Sequence, residues 1–148
     1  MRVIAIDYGT KRTGIAIGDT ESRMALPFEM FENLADDALA RAIATLVTRE
    51  GIEAVIAGLP LNQDGTMSQQ CKLTERFIVK LQQMMPAQAN GTPVPVYRVN
   101  EFLSSHHAEG KLAGSYTRMQ KRARVDALAA AGILQDWLDA QPREGAGG

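Results

Sequence analysis

Three carboxylates far apart in the chain are the residues best suited to chemistry: Asp7, Glu101 and Asp126. Asp7 directly follows the apolar run Val3–Ile6, and Glu101 comes almost directly after Val96–Val99. Both runs read as buried strands, and in open α/β sheets ligands gather beyond the carboxyl ends of strands. Asp126 falls in a helical stretch expected over Arg124–Ala140, on one stripe with Ala130, Ile133 and Trp137. An ionised carboxylate on an apolar stripe is costly unless it is paired or binds a cation. Three acids converging on one point require such a cation, and hard oxygen ligands suit Mg²⁺ or Mn²⁺ far better than zinc. Each acid alone has a plainer explanation. Asp7 can simply begin a turn, Glu101 can be a solvated strand-end acid, and Asp126 can interact with its helix N-terminus from an expected first turn.

Groups able to meet phosphate lie beside these acids. Asp7-Tyr8-Gly9-Thr10-Lys11-Arg12-Thr13-Gly14 joins an acid, two glycines, hydroxyls and two cations. Gly9 permits close backbone approach, turn N–H groups near Thr10 can face an anion, and Lys11 and Arg12 can hold phosphates. Arg118, Lys121, Arg122 and Arg124 place four cations in seven residues just before Asp126. Such a run is often only a solvated face, but its position favours contact with a nucleic-acid backbone; Tyr116 could add base stacking. The loop Gly58-Leu59-Pro60-Leu61-Asn62-Gln63-Asp64-Gly65 follows another strand and opens onto the same edge. Rival chemistry is weak. His106 and His107 are adjacent and cannot form an i,i+4 metal pair, Cys71 is expected to pack in a helix, and no Gly-x-Ser-x-Gly nucleophile elbow occurs.

The elements that must position these groups follow from period and punctuation. Val3–Ile6 and Thr13–Ile17 suggest a hairpin, with a third strand around Arg23–Phe31 whose Pro27 points to an edge or a bulge. Leu39, Ile43, Leu46 and Val47 give a helix over Ala35–Glu50 capped by Gly51. A strand at Ala54–Ala57 precedes a helix capped by Ser68, with Leu73, Phe77, Leu81 and Met84 on one face. Strand Val96–Val99, a short helix over Ser104–Leu112 and the helix ending at Ala140 complete the order. The expectation is an α/β domain with a mixed five-stranded sheet, three strands antiparallel and the later ones parallel, and helices on its faces. Residues 1–140 would form one domain and residues 141–148 a flexible tail.

Sixteen Lys and Arg stand against seventeen Asp and Glu in 148 residues, a net charge of −1. That excludes a polycationic tail but not a local basic patch. A chain of this size buries roughly 68–70% of its unfolded surface, enough for a core without staples. One cysteine, the lack of an apolar run of membrane-spanning length and the lack of a signal-peptide pattern point to a cytoplasmic protein with no membrane partner.

Four motifs in order, Ile6–Arg12, Gly58–Asn62 with Asp64-Gly65, Glu101 with Ser104-Ser105, and Val125–Ala130, resemble the YqgF family of RuvC-like, ribonuclease H-fold proteins. The resemblance runs from Val3 to about Leu138. It implies that Asp7, Glu101 and Asp126 form an acidic centre for one or two Mg²⁺ or Mn²⁺ ions, with Gly9, Thr10, Asn62 and Ser104 in substrate loops. It further implies phosphodiester cleavage in structured nucleic acid, leaving 5′-phosphate and 3′-hydroxyl ends. Maturation of the pre-16S rRNA 5′ end is the favoured role, on RNA or a ribosomal particle and as a monomer or homodimer. The alternatives are resolution of branched DNA junctions by a homodimer and a non-catalytic nucleic-acid-binding module. An actin-like ATPase would need two such domains. The family has Asp-Glu-Arg where this chain has Asn100-Glu101-Phe102, a departure that bears on substrate placement and turnover.

Overall fold

The computed structural model describes residues 1–102 and 118–142, with 102 and 118–126 described as backbone. Ser104, the helix expected over 104–112, Tyr116 and the tail from 143 lie outside the described residues. The described elements are β1 (Arg2–Asp7), β2 (Arg12–Asp19), β3 (Met24–Glu32), α1 (Asp36–Glu50), β4 (Ala54–Leu61), α2 (Gln69–Met84), β5 (Val96–Phe102) and α3 (Arg118–Ala140).

The strands form one sheet in the order β3-β2-β1-β4-β5. β1, β2 and β3 pair antiparallel, whereas β4 runs parallel to both β1 and β5. β3 is thus an edge strand, and its register shifts beside Pro27, where the ladder passes from Glu29 to Pro27. A residue without an N–H belongs at such a place, so both expectations for Pro27 hold together.

Alternation along the strands sorts two cores. Ile4, Ile6, Ile15, Val55 and Ala57 point to one face, where Leu39, Ile43, Leu46 and Val47 of α1 and Phe77, Ile78 and Leu81 of α2 cover them. Val3, Ala5, Ala16 and Ile56 point to the other, beneath Ala130, Ile133, Leu134 and Leu138 of α3. Gly51 ends α1 in the left-handed region with φ 65°, where a Cβ would be strained. The Ser68 hydroxyl accepts from Cys71 N at 2.9 Å and caps α2, an interaction of about 1 kcal/mol. Cys71 is fully buried, as its packing role requires.

Three boundaries and one helix face differ from the sequence expectation. β4 continues through Gly58-Leu59-Pro60 to Leu61, because β5 pairs with it that far. Pro60 is tolerated there since β1 has already left β4 after the Ile6–Ala57 pair. β5 likewise extends to Phe102, so Glu101 lies within the strand. On α2 the buried stripe centres on Thr74, Phe77, Ile78 and Leu81, leaving Leu73 and Met84 at its flanks. Finally, α3 begins at Arg118, because the 118–124 run is made of good helix formers without Gly or Pro. Asp126 therefore sits beyond the first turn, too deep for an N-terminal dipole interaction to explain it.

Candidate active site

The register brings Asp7 and Glu101 onto one face of the sheet. Asp7 follows Val3 and Ala5 by even steps, and Glu101 follows Val99; all three of those apolar residues belong to the core under α3. Ile6 pairs with Ala57, Gly58 with Val99 and Pro60 with Glu101. Asp7 and Glu101 are therefore two strands apart and offset by about two residues, roughly 12 Å between Cα atoms at ordinary ladder spacing.

Helix α3 crosses this face in the required direction. Leu134 and Leu138 approach Gly18, which pairs with Val3 near the amino end of β1, whereas Ile133 packs over Gly58 near the carboxyl end of β4. A Cβ at Gly58 would lie 2.6 Å from Ile133 Cδ1, and the Glu101 Cγ is 3.5 Å from the same point. The absence of a side chain at Gly58 lets Ile133 settle beside Glu101. Asp126 lies seven residues earlier on the stripe of Ala130 and Ile133, both buried. Its backbone is thus about 10 Å further along the helix, toward the edge that carries Asp7 and Glu101. Among the described residues no three His, Cys, Asp or Glu side chains form a metal-sized cluster, and the Asp126 side chain is not one of those described.

Glu101 is half-buried, and among the described residues its carboxylate takes part in no hydrogen bond or ion pair. Burial, with the nearby charge of Asp136 adding to it, raises its pKa above the ordinary 4.5. A carboxylate disfavoured as an anion and facing an acid on the same sheet face fits a divalent cation, which would supply the missing positive charge. The all-oxygen donor set suits Mg²⁺ or Mn²⁺.

The β1–β2 turn forms one wall of an open cleft of about 390 Å³, with Pro60 and Gln70 opposite residues 7–12. Gly9 has no room for a Cβ against the Arg12 carbonyl oxygen. The turn is tied by Thr13, whose hydroxyl donates to Gly9 O and accepts from Gly9 N, each at 3.3 Å. Thr10 and Lys11 are exposed on the cleft wall, and Arg12 is half-buried. Asn62 is engaged otherwise. Its amide donates to Thr66 Oγ1 at 3.0 Å, and Asp64 accepts from Thr66 N and Oγ1 at 2.9 and 2.6 Å. The 62–66 loop is a self-closed Asx turn with Gly65 at φ 85°, and Thr66 holds the Asp64 carboxyl below its usual pKa. The same turn recurs at Gln88–Thr92, where Asn90 takes the place of Asp64.

Sequence reasoning missed several neighbours. Arg98, one strand-face away from Glu101, is committed to Glu75 of α2 at 2.7 and 2.9 Å. Gln70 in the cleft carried no motif signal, and Asp136 is placed near Glu101 only by helix register. Tyr8 stood in a quoted motif without a role. Alternation sends its ring to the face opposite Asp7, where it stacks on Phe77 and its hydroxyl donates to Asp36 at 2.6 Å. Burial and that carboxylate hold the phenol far above its ordinary pKa.

Comparison with known proteins bears out the fold. A protein of Nitratidesulfovibrio vulgaris is 38% identical over 141 residues, covering 94% of each chain. One of Maridesulfovibrio salexigens is 33% identical over 140 residues, covering 93% of this chain and 98% of the other. Both are named "Putative pre-16S rRNA nuclease". Thermus thermophilus RuvC, solved with a Holliday junction substrate, shares the fold with a TM-score of 0.52 at 16% identity, over 95% of this chain and 94% of that one. The fowlpox virus Holliday junction resolvase does so with a TM-score of 0.53 at 17% identity, over 95% and 100%. The mixed sheet with helices on both faces is therefore the RuvC-like, ribonuclease H-like architecture that the motifs implied. Residues 1–140 match the family described as RuvX, Holliday junction resolvase, and the chain belongs to that family of nucleases, hydrolases of phosphodiester bonds.

Proposed function

We propose that this nuclease processes the 5′ end of pre-16S rRNA, using Asp7, Glu101 and Asp126 as ligands for one or two Mg²⁺ or Mn²⁺ ions. The observation that carries the chemistry is the shared sheet face of Asp7 and Glu101 under a helix whose 126–130–133 stripe runs toward them. The RNA substrate is supported by the names of the full-length relatives. Divalent ions at this centre supply water activation and stabilisation of the leaving oxygen. The chain's own groups do the rest. Lys11 and Arg12, with the turn at Gly9 and Thr10, hold backbone phosphates at the cleft. Arg118, Lys121, Arg122 and Arg124 extend the contact along α3, and Ser104 and the Asn62 loop border the substrate. Among the described residues no helix is long and apolar enough to cross a membrane, in keeping with a cytoplasmic enzyme that meets RNA or a ribosomal particle as a monomer or homodimer.

The family description favours a second reading, resolution of four-way DNA junctions. A precursor 16S rRNA fragment and a synthetic junction, each incubated with Mg²⁺, Mn²⁺ or EDTA, separate the two. Cleavage of the RNA that EDTA abolishes is the expected result; cleavage of the junction alone reverses the order. Failure to cut either, with wild type and Asp7→Asn binding both equally, leaves only a binding module. For the basic run, Arg122→Ala with Arg124→Ala should flatten the slope of log affinity against log salt by about 1.5. An unchanged slope removes these residues from the interface.

A further inference from the structure

We propose that Tyr8 is a positioning residue for the Asp7 carboxylate, acting through a clamp onto the two helices of the opposite face. The place of the clamp is seen on the ladder. β1 pairs with β4 through Val3–Ile6, whereas its pairing with β2 continues to Asp7, opposite Gly14. The next residue is held by three different contacts. The Tyr8 ring stacks on Phe77 of α2 with centroids 4.6 Å apart and planes 16° from parallel. Its hydroxyl donates to Asp36 Oδ1, in the first turn of α1, at 2.6 Å. Its carbonyl accepts from Gln70 Nε2, in the first turn of α2, at 3.3 Å.

These contacts reach the proposed metal ligand through the backbone. Asp7 and Tyr8 are joined by one planar peptide unit, so fixing Tyr8 at ring, hydroxyl and carbonyl restricts the torsions that aim the Asp7 side chain. Phe77 is 1% exposed and cannot yield, which makes the stack a rigid stop. The hydroxyl contact adds direction, because a hydrogen bond to Asp36 fixes the ring's far end at the start of α1 as stacking alone does not. Asp7 thus faces α3 and the cleft edge while its immediate neighbour is anchored to α1 and α2, and the ligand is preorganised from behind.

The proposal rests on Asp7 being a metal ligand, so its test carries Asp7→Asn as a reference. Mn²⁺ affinity of the full chain is measured by titration calorimetry without nucleic acid, alongside Tm. Tyr8→Phe keeps the ring and removes the hydroxyl; it should weaken the Mn²⁺ Kd about three- to tenfold, and Asp36→Ala should do the same. The double variant should bind no more weakly than either single one, because both remove one interaction. Asp36→Asn, which retains an acceptor oxygen, should stay near wild type. A lowered Tm with wild-type Mn²⁺ affinity in Tyr8→Phe, or additive losses in the double variant, makes Tyr8 a packing residue and overturns the clamp. If Asp7→Asn abolishes binding while Tyr8→Phe does not weaken it, the clamp alone fails. If Asp7→Asn leaves the Kd unchanged, the metal-centre reading beneath it fails as well.

Discussion

Glu101→Gln should abolish cleavage and yet yield a metal-free protein more stable than wild type at neutral pH. The first effect follows from removing one of the proposed anionic metal ligands. The loss in kcat should be on the order of 10³-fold, about 4 kcal/mol of transition-state stabilisation. The second follows from the raised pKa of Glu101, caused first by burial and then by the charge of Asp136. The folded protein holds this proton to a higher pH than the unfolded chain does. Stability therefore falls as pH rises from the ordinary value of 4.5 through the folded value. Gln carries no charge and escapes this loss. The exposed part of the carboxylate is screened by solvent, so Tm should rise only slightly at pH 7.5. The gain should vanish below the ordinary carboxylate pKa. Saturating Mn²⁺ should reverse the order, since only wild type retains the full ligand set. A Glu101→Gln protein that melts earlier than wild type without metal at pH 7.5 would refute this account of the carboxylate.

The same residue shows how far the site was legible in the sequence. Glu101 stood out because a polar residue after a β-rich run marks a strand end, yet the strand continues past it. Val96–Val99 is apolar enough to announce itself, whereas Asn100-Glu101-Phe102 is held in β5 by pairing with Leu59–Leu61. Tertiary pairing overrides local propensity there. The neighbouring cation carried no sequence signal at all. Arg98 is bound to Glu75, a partner that only the docking of α2 on β5 brings within reach.

Periodic features were read more faithfully. The αL cap at Gly51, the Ser68 cap and the Ala130–Ile133–Trp137 stripe each depend on spacing within one element, which sequence displays directly. The start of α3 was missed because charge, not period, dominates Arg118–Arg124. That error moved Asp126 into a first turn it does not occupy, and lent it a dipole explanation that the longer helix withdraws. Tyr8 was passed over for a different reason. Its role lies in contacts with Asp36, Gln70 and Phe77, residues 28 to 69 positions away, and no local pattern encodes them.

Gly9→Ala should lower both stability and turnover, and Gly18→Ala provides the control that separates the two. Each glycine faces a backbone carbonyl where a Cβ cannot fit: the Arg12 oxygen for Gly9, and the Met24 oxygen, at 2.7 Å, for Gly18. They lie beside opposite ends of β2, Gly9 at the cleft and Gly18 under Leu134 and Leu138. Neither carbonyl can swing aside as a flexible side-chain end could, so the backbone must shift in both variants. At Gly9 the shift opens the turn and breaks the paired hydrogen bonds with Thr13, whose side chain is 1% exposed. A buried hydroxyl left without partners costs about 2 kcal/mol, roughly 5 °C in Tm for a chain of this size. The displacement also moves Lys11 and Arg12 relative to Asp7, and misplacement by about 1 Å is enough to cost on the order of 10²-fold in kcat/KM. At Gly18 a comparable loss of stability should leave kcat/KM of the folded protein within about twofold of wild type, because additivity holds for sites without shared partners. Assays at 15–20 °C, with both variants folded, make the comparison. Full activity in Gly9→Ala, or an equal loss in Gly18→Ala, would mean that the close approach of Gly9 to Arg12 serves folding alone and that the turn does not aim the cations at the substrate.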